Sequence, residues 1–156
     1  MIKNQTLIQQ GFLKSSFLLD KCVMVFILDK NWKALDDYFI KLGMAGQPLY
    51  TFLSQYLRFN FTEHIIAIRS APDDEDGIWH DDGSRFLGYS LSLNLAPESI
   101  EGGELTFKLK NSSEFHSFSP LPYGEIVIFL SGLYGYEHKV SAVTKGQRIV
   151  IAGWCW

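Results

Sequence analysis

The chain has 156 residues, 47% hydrophobic and 20% charged, which fits one globular domain over 1–156 that buries roughly 70% of its unfolded surface. A formal net charge of -3 offers no extended basic field, which argues against nucleic acid as a partner held by phosphate neutralisation. Two cysteines, Cys22 and Cys155, are too few for a disulfide scaffold and lack a Cys-x-x-Cys spacing, so a reducing, cytoplasmic setting is expected, with a single Cys22–Cys155 bridge left open.

Residues 1–61 read as mostly helical support. The apolar run from Phe17 to Leu28 is interrupted by Asp20-Lys21 and is too short to span a bilayer, so it reads as core and the protein as soluble, with no membrane partner. Asp29 to Leu42 places Trp32, Leu35, Phe39 and Leu42 at spacings of three and four before Gly43, the signature of an amphipathic helix. A second helix follows Gly46-Gln47-Pro48, with Leu49, Phe52, Leu53, Tyr56 and Leu57 as its apolar stripe.

From Thr62 the period changes to two. The segments 64–70, 85–95, 104–110, 125–131, 137–143 and 147–154 read as strands separated by Gly, Pro and Ser turns. The fold class is therefore α+β, mainly β, and the run of short strands suggests a sandwich or jelly roll over residues 62–156. No internal repeat, linker or low-complexity segment marks a second domain.

The stretch Ile78-Trp79-His80-Asp81-Asp82-Gly83 carries the chemistry. On an extended backbone His80 and Asp82 project to one side and Asp81 to the other. With His138 from a distant strand they make two imidazoles and one carboxylate, a set that suits Fe(II) of the non-haem oxygenase type with open positions. His64 and His116 have no carboxylate two positions away and read as structural. The acidic run Asp73-Asp74-Glu75-Asp76-Gly77 fails as a calcium loop, because Pro72 and Gly83 occupy the first and twelfth ligand positions. It reads as a solvated loop beside the site, with gating as the alternative. Arg148 heads a strand apolar on both faces, and a guanidinium there needs an anion, either a bidentate carboxylate ligand or a surface Glu.

Together these residues carry a family resemblance. His80-x-Asp82, Asn94, Gly102-Gly103-Glu104-Leu105, Gly124-Glu125-Ile126-Val127-Ile128-Phe129, His138-Lys139-Val140 and Val143-Thr144-Lys145-Gly146-Gln147-Arg148 through Trp154 resemble the prolyl-4-hydroxylase-like branch of the Fe(II)/2-oxoglutarate-dependent dioxygenases. The resemblance implies a double-stranded β-helix (jelly roll) with N-terminal supporting helices. It implies His80, Asp82 and His138 as iron ligands, and Arg148 as the residue that holds the far carboxylate of 2-oxoglutarate. The implied reaction consumes O2 and decarboxylates 2-oxoglutarate to succinate while hydroxylating a protein side chain, prolyl first, with ascorbate as an admissible reductant. Retention of Asp82 favours hydroxylation over halogenation.

One departure stands out. Many members carry Tyr-Leu-Asn where this chain has Ser92-Leu93-Asn94, so Ser92 takes the place of a co-substrate-binding tyrosine. Gly88, Ser90 and Ser92 share one face of their strand, either an outer solvated face or a roomy inner wall where Ser90 and Ser92 bind co-substrate. The loops 70–79 and 111–123 are candidate substrate lips, with Tyr123, Tyr134 and Tyr136 as aromatic contacts or as packing. Nucleic-acid demethylation is disfavoured because Trp154 stands where that branch places a second arginine. A small-molecule or non-prolyl substrate, and a jelly-roll binding module without turnover, are the alternatives. Oligomeric state is not legible.

Overall fold

The structure, a computed structural model, describes residues 2–156. Four helices, α1 (Gln5–Gln10), α2 (Lys21–Leu28), α3 (Trp32–Leu42) and α4 (Pro48–Ser54), precede the main strands. The Asn31 side chain accepts a hydrogen bond from the Ala34 amide (3.1 Å) and sets the start of α3 at Trp32, where the apolar spacing begins, rather than at Asp29. Pro48 opens α4, where its missing N–H leaves no bond unmade. Val23 and Ile27 of α2, Leu35 and Phe39 of α3, and Leu49 and Leu53 of α4 are the buried i, i+4 pairs that press these helices onto the sheet. No helix among the described residues is long and apolar enough to cross a membrane.

The strands are β1 (Phe12–Ser16), β2 (Thr62–Ser70), β3 (Leu87–Ser92), β4 (Glu101–Gly102), β5 (Leu105–Leu109), β6 (His116–Phe118), β7 (Glu125–Leu130), β8 (Tyr136–Val140), β9 (Val143–Lys145) and β10 (Gln147–Cys155). They form a five-stranded antiparallel sheet, β1-β7-β3-β10-β2, a three-stranded sheet, β6-β5-β8, and a short β4-β9 ribbon. Leu105 and Phe107 of the smaller sheet meet Val127 and Phe129 of the larger one in a compact apolar cluster, with the Phe107 and Phe129 rings 4.8 Å apart. This is the double-stranded β-helix.

Period two sorts each strand of the main sheet. Leu87, Tyr89 and Leu91 of β3, Ile126, Ile128 and Leu130 of β7, and Ile149 and Ile151 of β10 all join the helix-side core. The alternate residues, Ser90, Ser92, Val127, Arg148 and Val150, line the space between the sheets. Gly153 is the exception on the helix side, because the Tyr89 ring lies across it and a Cβ would overlap the ring. Gly153→Val is therefore expected to lower stability by about 1–3 kcal/mol through overpacking, read as a drop in the thermal unfolding midpoint.

Several elements differ from the sequence expectation, among them the short β4 and β6, the latter inside the loop read over 111–123. β1 lies inside the region read as helical, pairing Phe12 with Phe129 and Ser16 with Glu125 at the sheet edge. Its period-two signal is weak because only Phe12, stacked on Phe107 at 5.4 Å, and Leu13 are apolar. The run 137–143 splits into β8 and β9, since the Ser141 and Ala142 backbone leaves the ladder to meet Glu104 and the Asp76 carboxylate. Cys155 is buried in the helix-side core, Cys22 lies on α2, and both are free thiols.

Candidate active site

A cavity of about 180 Å³ opens between the sheets, lined by His80, His138, Arg69 of β2, Arg148 of β10, Ile65 and Trp154 among others. His80 and His138 face each other through a single two-residue bridge, in which each backbone N–H donates to the other's carbonyl (3.0 and 2.9 Å). Their rings stand 4.2 Å apart, and His138 packs against Phe129 at 4.8 Å, which leaves its imidazole little rotameric freedom.

Asp82 joins them, for a different reason than strand periodicity. It adopts a left-handed backbone, φ 58°, and Gly83 follows at φ 65°. The chain turns there, and the turn carries the carboxylate back between the imidazoles. Asp81 is directed away: its Oδ1 accepts the Gly83 amide (3.0 Å) and its Oδ2 pairs with Lys110.

The ligand atoms of His80, Asp82 and His138 all lie within 4.8 Å of one another. Asp82 Oδ1 is 3.6 Å from His80 Nε2, and Oδ2 is 3.5 Å from His138 Nε2. Among the described residues, Asp82 Oδ2 is buried without a hydrogen-bond partner. A buried carboxylate oxygen left unsatisfied beside two imidazoles is costly unless a cation sits among them. His80 Nδ1 donates to the Ile78 carbonyl (2.9 Å), which fixes the tautomer and leaves the Nε2 lone pair facing the other two groups. Burial pushes the His138 pKa well below the ordinary imidazole range, against the pull of Asp82. Two imidazoles and a carboxylate make a donor set that fits a divalent iron.

Arg148 is 5% exposed, and among the described residues its guanidinium has no hydrogen bond or ion pair. Burial pushes its pKa down to about 10, with Arg69 adding to the push and Asp74 opposing it. Arg69 lies directly across the ladder from it. Unlike Arg148, Arg69 is fully engaged, with Asp74 (3.0 Å), the Val140 carbonyl (3.0 Å) and the Glu75 carbonyl. A buried, unpartnered, planar cation lining a cavity is a receptor for a carboxylate.

Ser90 and Ser92 both face inward, the inner wall of the two alternatives, and both border a narrow extension of the cavity beside Arg148. The Ser92 hydroxyl is already engaged: it donates to the Leu121 carbonyl (2.5 Å) and accepts from the Asn94 side chain (2.9 Å). Asn94 in turn accepts the Ile149 amide (2.8 Å) and so ties the end of β3 to β10 beside Arg148. Ser90 keeps an uncommitted hydroxyl on the same wall.

The acidic run is a solvated loop, exposed at Asp73, Glu75 and Asp76, as its composition suggests, and it is also pinned: Asp74 accepts the Val143 amide (2.7 Å) and Asp76 the Ala142 amide (2.8 Å) at the β8–β9 bend. Trp79 packs beneath Lys108 and Lys139, 4.6 and 5.3 Å from its ring, and anchors the approach to His80. Tyr123 and Tyr136 belong to the helix-side packing, while Tyr134 is the exposed one of the three. Residues 118–121 wall the narrow end near Arg148. His64 pairs with Asp36 (3.0 Å) and His116 stacks on Phe12 (4.7 Å), both structural as expected. Arg69 escaped the sequence reading, although the Ile65, Ala67, Arg69 period on β2 made it accessible.

Residues 53–156 match the family model described as 2OG-Fe(II) oxygenase superfamily. A PKHD-type hydroxylase of Prochlorococcus marinus (strain NATL1A) is 33% identical over 134 residues, covering 83% of this chain and 57% of that protein. The chain thus spans little more than half the length of that relative. Among solved structures, a Pseudomonas putida prolyl-4-hydroxylase superposes with a TM-score of 0.68 at 22% identity, covering 96% of this chain and 89% of that one. A prolyl hydroxylase of Trichoplax adhaerens, in complex with a hypoxia inducible factor peptide fragment, gives 0.61 at 16% identity, covering 97% and 86%.

Proposed function

Because this chain belongs to the 2OG-Fe(II) oxygenase superfamily, we propose that it is an Fe(II)- and 2-oxoglutarate-dependent hydroxylase acting on a protein side chain, prolyl first. The observation that carries the reading is the unpaired, buried Arg148 lining the same cavity as His80 and His138, the two imidazoles on which Asp82 converges. Fe(II) held by these three donors supplies activation of O2 coupled to decarboxylation of 2-oxoglutarate to succinate and transfer of one oxygen atom to a substrate C–H bond. The chain's own residues bind and orient. His80 and His138 present lone pairs, Asp82 supplies the compensating charge, and Arg148 receives the far carboxylate of the co-substrate with Ser90 beside it. Phe129, Val140 and Val150 line the same cavity and limit water around it.

The hydroxylase assignment draws support from the name of the relative, and the prolyl one from the two prolyl hydroxylase structures that the fold resembles, one of them peptide-bound. A cytoplasmic setting draws support from two unpaired cysteines. Anaerobic addition of Fe(II) and 2-oxoglutarate is expected to raise the weak visible charge-transfer band of the chelate. In air, proline-containing peptides should yield succinate and a product heavier by one oxygen. Oxidation at any other residue, or of a small molecule, retires the prolyl label and leaves the iron chemistry standing. Absence of the band favours a jelly-roll binding module.

A further inference from the structure

We infer that Arg85 is a positioning residue for the candidate metal centre, its guanidinium holding the Asp82 backbone in the conformation that aims the carboxylate between His80 and His138. The inference rests on Asp82 being an iron ligand, as proposed above.

A left-handed backbone at a residue other than glycine persists only where its surroundings over-determine it. Besides the Gly83 amide bond to Asp81 Oδ1, three contacts hold this turn from outside it. The Gly132 amide donates to the Asp81 carbonyl (2.6 Å), Lys110 pairs with the Asp81 carboxylate, and Arg85 Nη1 donates to the Asp82 carbonyl (3.2 Å). The peptide that follows Asp82 is held twice, by the Asp81 carboxylate at the Gly83 amide and by Arg85 at the Asp82 carbonyl, and of these only Arg85 comes from outside the turn. With φ held at 58° and the carbonyl fixed, the direction of the Asp82 Cβ is set, and with it the reach of the carboxylate.

Arg85 is in turn held from three sides. Its Nε and Nη2 both meet Glu63 Oε1 (2.6 and 2.5 Å), its guanidinium lies over the Trp154 ring (5.2 Å) and near that of Trp156 (5.9 Å), and its carbonyl accepts the Ser131 hydroxyl (2.7 Å). Glu63 and Trp154 are register partners on β2 and β10. The fork therefore ties the Asp82 turn to the edge of the main sheet, while His138 belongs to the smaller one. A lysine ammonium has no planar fork to span Glu63 and Asp82 while stacked on an indole. The Arg85–Glu63 pair is more than a third exposed on both sides, so as an ion pair alone it adds little to folding stability. This separates a positioning role from a merely structural one.

The test is the anaerobic dissociation constant for Fe(II) alone, measured with near-UV circular dichroism and the thermal midpoint of the metal-free protein. Arg85→Ala is expected to raise that constant roughly 10–100-fold, the range typical of groups that orient a metal ligand, with the fold intact. Arg85→Lys should recover little of the loss, and Glu63→Gln should show a smaller weakening. Wild-type affinity in a folded Arg85→Ala protein overturns the proposal. If that variant does not fold, wild-type affinity in both Arg85→Lys and Glu63→Gln overturns it equally. Asp82→Ala is the reference: if it too binds Fe(II) like wild type, the assignment of Asp82 as a ligand has failed and this inference falls with it, a result distinct from an inert Arg85.

Discussion

Asp82→Ala and His138→Ala should each abolish the visible band formed anaerobically with Fe(II) and 2-oxoglutarate, and each should lower succinate production by more than about 100-fold, since a ligand matters more than the groups that orient it. The two variants diverge in the metal-free protein. Among the described residues Asp82 Oδ2 is buried without a partner, so losing this carboxylate is expected to leave the metal-free thermal midpoint unchanged or raised. His138 is packed against Phe107 and Phe129, and its truncation opens a void that lowers the midpoint. Fe(II) at about 100 times its dissociation constant should stabilise wild type by about 2.7 kcal/mol and should stabilise neither variant. A band that survives in His138→Ala would show that another residue ligates the metal.

Arg148→Met should separate co-substrate binding from metal binding. Loss of a bidentate, charge-assisted contact is worth about 3 kcal/mol, so affinity for 2-oxoglutarate should fall roughly 100-fold. Fe(II) affinity should hold, because Arg148 is not among the converging donors. The metal-free variant is expected to unfold at a higher temperature than wild type, because a buried cation with no partner is replaced by an apolar side chain of similar length. Isothermal titration and thermal unfolding read the two effects independently. Unchanged 2-oxoglutarate affinity would place the anion site elsewhere, and a lowered midpoint would mean that Arg148 has a partner in solution.

Much of this was legible in the amino-acid order. The two-sided apolar pattern around Arg148 marked a buried strand that carries a charge, and the structure places Ile149 and Ile151 against the helices with Arg148 and Val150 in the cavity. The alternation of Leu87, Tyr89 and Leu91 with Gly88, Ser90 and Ser92 was equally plain, although which face pointed inward was not. β1 was missed because an edge strand with two apolar residues carries hardly any period-two signal. The acidic run was legible as a solvated loop but its anchoring was not, because composition records charge and not the amides of Val143 and Ala142 that Asp74 and Asp76 accept.

Residue types, their order and the apolar periods thus determined the β-rich fold, the identity of the candidate ligands and the need for an anion at Arg148, because burial and charge compensation follow from side-chain chemistry. Tertiary structure alone decided how Asp82 meets the two histidines. A left-handed turn does that, not an extended strand, and its restraints come from Arg85, Lys110 and Gly132, brought together only when the sheets close. The same closure committed the Ser92 hydroxyl to Leu121 and Asn94 and left Arg148 without a partner. Hydrogen-bond partners distant in the chain leave no local periodicity, so a sequence can name the donors and acceptors without revealing which of them remain free.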